Sequence, residues 1–143
     1  MFYIETDDNG IPARWSSSSF EEATETASFD VDLSTVYFKS GEMLYLPPKP
    51  DYPCKWVNES WVKDEDTENT IRKQLCNRII LSVASLEAQT NVNGALAAGE
   101  LDAADMALAA AFRAWVQAMR QAVADATDFP AEPDGVRDLM NKF

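Results

Sequence analysis

Apolar residues recur along this chain with two different periods, and the change falls near Asp64. Before it, short β-branched and aromatic runs alternate with turn-forming residues. After it, large apolar residues step by three and four through alanine-rich stretches. The expected fold class is α+β, a small β-rich N-terminal part with hairpins followed by a long antiparallel two-helix hairpin. The divisions expected are a β-rich module over 1–46, a proline- and tryptophan-rich linker with room for a hairpin over 47–63, the helical hairpin over 64–130 and a C-terminal tail over 131–143.

Phe2-Tyr3-Ile4 is a β-prone run, Asp7-Asp8-Asn9-Gly10 supplies a turn, and Ile11 to Trp15 is the return strand. Pro12 limits that return to a sheet edge. In the serine- and acid-rich stretch that follows, Ser19 and Glu22 have capping-box spacing, so a short helix is expected to begin there. Val36–Lys39 and Met43–Leu46 flank Ser40-Gly41-Glu42 as a second hairpin. The prolines at 47, 48, 50 and 53 favour extended, semi-rigid chain. Trp56-Val57 and Trp61-Val62, separated by Asn58-Glu59-Ser60, make a third candidate hairpin with a tryptophan on each arm.

The helical signal is stronger. Asp66 or Thr67 is placed to cap a first helix, and Ile71, Leu75, Ile79, Val83 and Leu86 then step by four, four, four and three along one face. Asn91-Val92-Asn93-Gly94 reads as its end. A second helix starts at Asp102, carries Leu108, Phe112, Trp115 and Met119 on its apolar stripe, and closes at Phe129-Pro130. Each helix would hold about 23–25 residues and run about 36 Å. A short connection makes the two antiparallel neighbours. Two helices leave much of each stripe uncovered, so the hairpin is expected to pack on the N-terminal part or on a second copy of itself, as a homo-oligomer.

Charge and chemistry narrow the functional classes. The formal net charge is −12, with no histidine. Residues 1–63 carry 11 acids against 5 bases and residues 64–143 carry 13 against 7, so neither part is basic. No stripe is available to neutralise phosphates, which argues against a nucleic-acid partner. The acidity either keeps the chain soluble or steers it toward a positive or polar partner. Without histidine there is no Ser-His-Asp or Cys-His apparatus, and neither GxxxxGK[ST] nor GxGxxG is present. Cys54 and Cys76 lie in different elements, with no CxxC, and read as a reduced pair and not as zinc ligands. Asp7-Asp8-Asn9-Gly10 lacks the alternating ligands of a calcium loop. The expectation is a protein that is not an enzyme, with no catalytic residue, cofactor or metal. The N-terminus lacks the pattern of a signal peptide, and no apolar run is long enough for a membrane span.

The aromatic residues carry the remaining signal. Tyr45, Tyr52, Trp56 and Trp61 crowd the proline-rich stretch. They either plug the small N-terminal core or form a shaped contact surface for a partner, since Trp and Tyr dominate interface energetics.

The order of these features is a β-rich start, a proline segment, a W-x4-W pair, an arginine-bearing helix, an alanine-rich turn, and a second helix reading F-R-A-W-V-Q-A-M-R-Q-A before F-P-A-E-P. Over about residues 47–133 this resembles the tail fibre assembly proteins of tailed bacteriophages and phage-tail-like bacteriocins. The chain departs from the family's pattern at Phe129, where a tryptophan is usual before proline, and at Ala118, where a tyrosine is expected. The resemblance implies a chaperone that binds the receptor-binding C-terminal end of a trimeric tail fibre and promotes its folding and trimerisation, in some cases staying attached. It implies work in the bacterial host cytoplasm during assembly, with retention on the particle as a variant. It puts Tyr52, Trp56 and Trp61 in or beside the recognition module, with Leu108, Phe112, Trp115 and Met119 in the helical core. The competing expectation is a small acidic phage-encoded inhibitor that mimics nucleic acid, which the charge favours and the Pro/Trp-rich start does not.

Overall fold

A computed structural model describes all residues 1–143. The chain is α+β and divides into two units, residues 1–65 and 66–143. The proline-rich segment 47–63 belongs to the first and the tail 131–143 to the second.

The first unit holds seven short strands in three antiparallel sheets. β1 (Phe2–Thr6) lies between β2 (Pro12–Ser16) and β3 (Glu25–Ala27). Pro12 therefore sits on an edge strand, where its missing N–H leaves no gap in a central ladder. The Asp7 carboxylate holds the intervening turn, accepting from the backbone N–H of Asn9 at 2.8 Å and of Ile11 at 2.9 Å. β3 was not expected, and no helix forms at Ser19–Glu22. The chain there makes turns and then pairs Phe2, Tyr3 and Ile4 with Ala27, Thr26 and Glu25.

The other two sheets are two-residue hairpins. β4 (Val36–Lys39) pairs with β5 (Glu42–Tyr45) around Ser40-Gly41, and β6 (Cys54–Val57) pairs with β7 (Ser60–Lys63) around Asn58-Glu59. Both central residues of each turn have positive φ, which matches the right-handed twist of the strands they join. Asp32 precedes β4 by capping a 3-10 turn at Leu33–Thr35. Its carboxyl is held below the ordinary carboxylate range by hydrogen bonds from the Ser34 hydroxyl and backbone N–H.

Ile4, Ala27, Leu33, Val36 and Phe38 form the core, with Phe2, Val31 and Met43 packed against it. Gly10 is the joint between the first two hairpins. Its carbonyl accepts from the Phe38 N–H at 2.8 Å, and a Cβ placed on it would lie 2.0 Å from the Phe38 carbonyl oxygen. Its φ of +77° also disfavours any L side chain. The neighbouring Asn9 carboxamide oxygen accepts from the Asn58 N–H at 3.3 Å, and Lys39 reaches Glu59 at 2.7 Å, tying the third hairpin to the first two.

The helical unit differs from the two-helix expectation. α1 (Glu65–Val83) stops and α2 (Leu86–Ala97) begins, because Ser85 takes an extended conformation and caps the new helix by accepting from the Ala88 N–H at 3.1 Å. α2 runs through the Asn91–Gly94 segment expected to end it. α3 (Ala103–Asp125) starts at Asp102, as the spacing predicts, with the Asp102 carboxylate accepting from the Asp105 N–H at 2.8 Å. A short α4 (Val136–Lys142) ends the chain.

Six of the nine expected helical-core positions belong to the core. Val83, Phe112, Trp115 and Met119 are buried in it, and Leu108 is half-buried against it. Ile79 also packs against the core from a half-buried position. The other three, Ile71, Leu75 and Leu86, are exposed. Stepping by four advances about 40° around a helix, so the Ile71–Leu75 row leaves the face that Cys76, Ile80 and Val83 bury. Arg72 fixes that rotation. It donates to the carbonyls of Ala122 and Thr127 at the end of α3 and stacks its guanidinium 5.0 Å from the Phe129 ring centre. Leu86 is exposed because it opens a new helix where the expectation had it extending the old one.

Within this unit α4 supplies cover for the stripe that two helices would leave open. Val136, Leu139 and Met140 are buried with the α3 residues. Arg137 grips Glu132 through two bonds, at 2.7 and 2.8 Å, and donates to the Ser82 carbonyl at 2.9 Å. That pairing holds the Glu132 carboxyl below its ordinary value. Asn91 donates to the Phe143 carbonyl at 2.8 Å, and Lys142 meets the buried Asp105 at 2.8 Å.

Two substitutions test these joints. Gly10→Ala should destabilise the N-terminal unit by at least about 1 kcal/mol, read by urea unfolding monitored through tryptophan fluorescence. Leu139→Ala should cost about 2–5 kcal/mol, read by thermal unfolding at the helical circular-dichroism band. A cost below about 0.5 kcal/mol would show that α4 is dispensable to the helical core.

Candidate functional site

The aromatic residues singled out on sequence separate into three environments. Tyr45 ends β5 with 69% of its surface exposed, and Tyr52, beyond the prolines, is also exposed. Trp56 is 6% exposed and belongs to the packing, not to a contact surface. Trp61 is half-buried between these extremes.

The register of the third hairpin explains the division. Trp56 and Trp61 sit directly opposite one another on β6 and β7, with ring centres 5.2 Å apart in an edge-to-face arrangement. Tyr37, on β4, adds a third ring 5.0 Å from Trp56. Trp61 turns its indole N–H to the Pro47 carbonyl at 3.0 Å, which anchors the proline segment to the hairpin. Lys49, inside that segment, holds its ammonium 5.9 Å from the Trp61 ring centre. The buried Trp56 indole N–H has no hydrogen-bond partner. Burial with an unmet donor carries a cost, and the packing of three rings offsets it.

The outcome is a proline segment strapped over an aromatic base, with Tyr45 and Tyr52 projecting near its two ends. Lys39 stands beside the base on β4. Its ammonium is raised above its ordinary value by the hydrogen bond to Glu59 and then by the opposite charge. The stabilisation from this pair is complete below the lysine's unfolded value and is lost only as alkaline pH passes the raised one.

A second aromatic group escaped the sequence reading. Trp15 at 52% and Phe29 at 61% exposed line an apolar cleft of about 460 Å³ with Phe2, Ile11, Pro12 and Val31. Trp15 lies on β2, so the cleft adjoins a sheet edge whose outer backbone groups pair with no other strand. Trp15 was read only as the end of a return strand. Phe29 lay in a stretch read as polar connection. The signal was available in the placement of Trp15 on an edge strand, but its pairing with Phe29 depends on the unforeseen β3, which brings residues 27–29 beside Phe2.

Reactive chemistry finds no constellation. No group of three or more His, Cys, Asp or Glu side chains is placed to hold a metal ion. Cys54 and Cys76 are free thiols in different units. Burial pushes the Cys76 thiol above its ordinary 9.0, against a smaller opposing pull from Arg120. A thiol held that way is a poor nucleophile at neutral pH. No helix is long and apolar enough to cross a membrane.

No protein-family model, curated protein or solved structure matches this chain.

The split between packing and surface has a direct check. Trp56→Ala should cost about 3–5 kcal/mol, whereas Tyr45→Ala should stay within about 0.5 kcal/mol of the parent, both by denaturant unfolding. Equal costs would contradict the different environments assigned to the two rings.

Proposed function

We propose that this protein is a tail fibre assembly chaperone, which binds the distal end of a trimeric phage tail fibre, promotes its folding and trimerisation, and remains bound where release is not required. The observation that carries the reading is the exposure of large aromatic side chains on a braced β scaffold. Tyr45 and Tyr52 flank the strapped proline segment, and Trp15 and Phe29 border the cleft beside the β2 edge. The resemblance of residues 47–133 to fibre assembly proteins supports the same reading.

The physics fits the task. Trimeric β-structures fold slowly, because non-local pairing follows costly loop closure. Until they close they expose unpaired strand edges that aggregate. A binder with aromatic anchors gains affinity from burying large rings of few rotamers. An edge strand such as β2 can pair with an extended segment through backbone hydrogen bonds. By mass action, whatever fibre state it binds is stabilised relative to the others. None of this needs a reacting group.

The test is co-expression with a tail fibre encoded beside it. Soluble, SDS-resistant fibre trimers should form with the parent chain and fall severalfold with a Trp15→Ala/Tyr45→Ala/Tyr52→Ala variant that keeps its unfolding midpoint. Trimers forming equally well with the chain omitted would defeat the reading.

A further inference from the structure

The helical unit carries a groove that the fibre reading does not use. It follows one side of α3. Its upper part is a cleft of about 220 Å³ between α2, α3 and α4, floored by Val92, Phe112, Val116 and Met140. A second cleft, also about 220 Å³, lies between α1 and α3 against Cys76 and Val123. Arg120 lines both, so the two clefts meet at the same side chain of α3.

The charge of this groove is opposite to that of the chain. Acids outnumber bases 24 to 12 overall, yet no carboxylate lines either cleft. Arg113 and Arg120 rim the first and Lys73 joins Arg120 at the second. The unit's other paired cations are committed elsewhere. Arg137 holds Glu132, Lys142 holds Asp105, and Arg72 is spent on backbone carbonyls. None of the three groove cations takes part in those ion pairs. The remaining polar side chains at the rim are the amides of Gln89, Asn93 and Gln117 at the first cleft and of Asn77 at the second, which donate and accept equally well.

We propose that this groove binds an acidic, partly apolar segment of a partner protein in extended conformation. An apolar floor between cationic rims suits a chain that presents apolar side chains inward and carboxylates toward the arginines. Arginine offers a planar fork to each carboxylate. Arg113 and Arg120 are seven residues apart on α3, a rise of about 10.5 Å. A peptide in the extended polyproline II form, with three residues per turn and a rise of about 3.1 Å per residue, presents side chains three positions apart on one face and spans most of that distance between them. The segment selected therefore carries acidic residues about three positions apart. The proposal does not depend on the fibre reading, because it uses a different unit and different residues.

The probe is a fluorescein-labelled synthetic peptide with glutamate at every third position and valine and threonine between, matched with a copy carrying lysine for glutamate. Binding to the full chain is followed by fluorescence anisotropy and mapped by amide chemical shifts. The glutamate peptide should bind and shift the amides of Val92, Phe112 and Val116. The lysine peptide should not bind. Arg113→Glu/Arg120→Glu, at two exposed positions, should retain the helical circular-dichroism signal. It should weaken the glutamate peptide about tenfold or more and reverse the preference between the two peptides. The proposal is overturned if both peptides bind the parent chain alike, if neither binds, or if the shifts map outside the groove. It is equally overturned if dodecanoate occupies the groove and the glutamate peptide does not, or if the charge-reversed pair abolishes self-association of the chain with no peptide bound.

Discussion

Each unit of this protein is shorter than about 80 residues, a length at which one hydrophobic core supplies little net stability. That constraint decides how nearly every apolar group is used. In the helical unit the tail cannot be left loose, because α3 buries side chains over its whole length and two partners do not cover them. The chain therefore returns through α4, and Arg137, Asn91 and Lys142 secure it to α1, α2 and α3 respectively. In the β unit the same shortage draws Trp56 inward although its indole N–H goes unmet, and lets two hairpins approach until only glycine fits at position 10.

Where apolar groups are scarce inside, those left outside carry meaning. A single exposed leucine needs no explanation. Trp15, Phe29, Tyr45 and Tyr52 are different, because large rings would have added most to a core that lacked mass. Their frame is also stiff. Prolines restrict the segment between Tyr45 and Tyr52, and the Trp61 indole fastens it to the hairpin. Ordering such a surface costs little on binding, which favours recognition over mere solvation of the rings.

The α+β class and all three expected hairpins were legible because their signals are local. Ser40-Gly41 and the Trp56/Trp61 arms sit in short contiguous stretches, and Asp102 is a cap followed by a long apolar stripe. The break at Ser85 was hidden for a different reason. The apolar steps continue unbroken from Val83 to Leu86, and only the competition between a serine cap and one more helical turn ends α1. The exposure of Ile71 and Leu75 was hidden as well, since which side of α1 faces inward is fixed by Arg72 reaching the far end of α3, fifty residues on. β3 is three residues long with no apolar alternation, and its pairing is set by β1. The candidate site follows the same rule. Tyr45 and Tyr52 could be found because prolines mark their stretch, whereas the cleft of Trp15 and Phe29 exists only once β3 is placed.

The acidity acts on the two surfaces differently. Field effects of a −12 charge extend about 8–10 Å beyond the protein in ordinary salt and slow the approach of any acidic chain. Close pairs inside a groove are screened less, so Arg113 and Arg120 act once a segment is seated, on its departure more than on its arrival. A groove built this way discriminates poorly by collision and well by residence. It favours a segment already brought near by another contact, for which local concentration replaces encounter. An exposed aromatic surface has no such handicap, because burial of rings does not depend on the sign of the field.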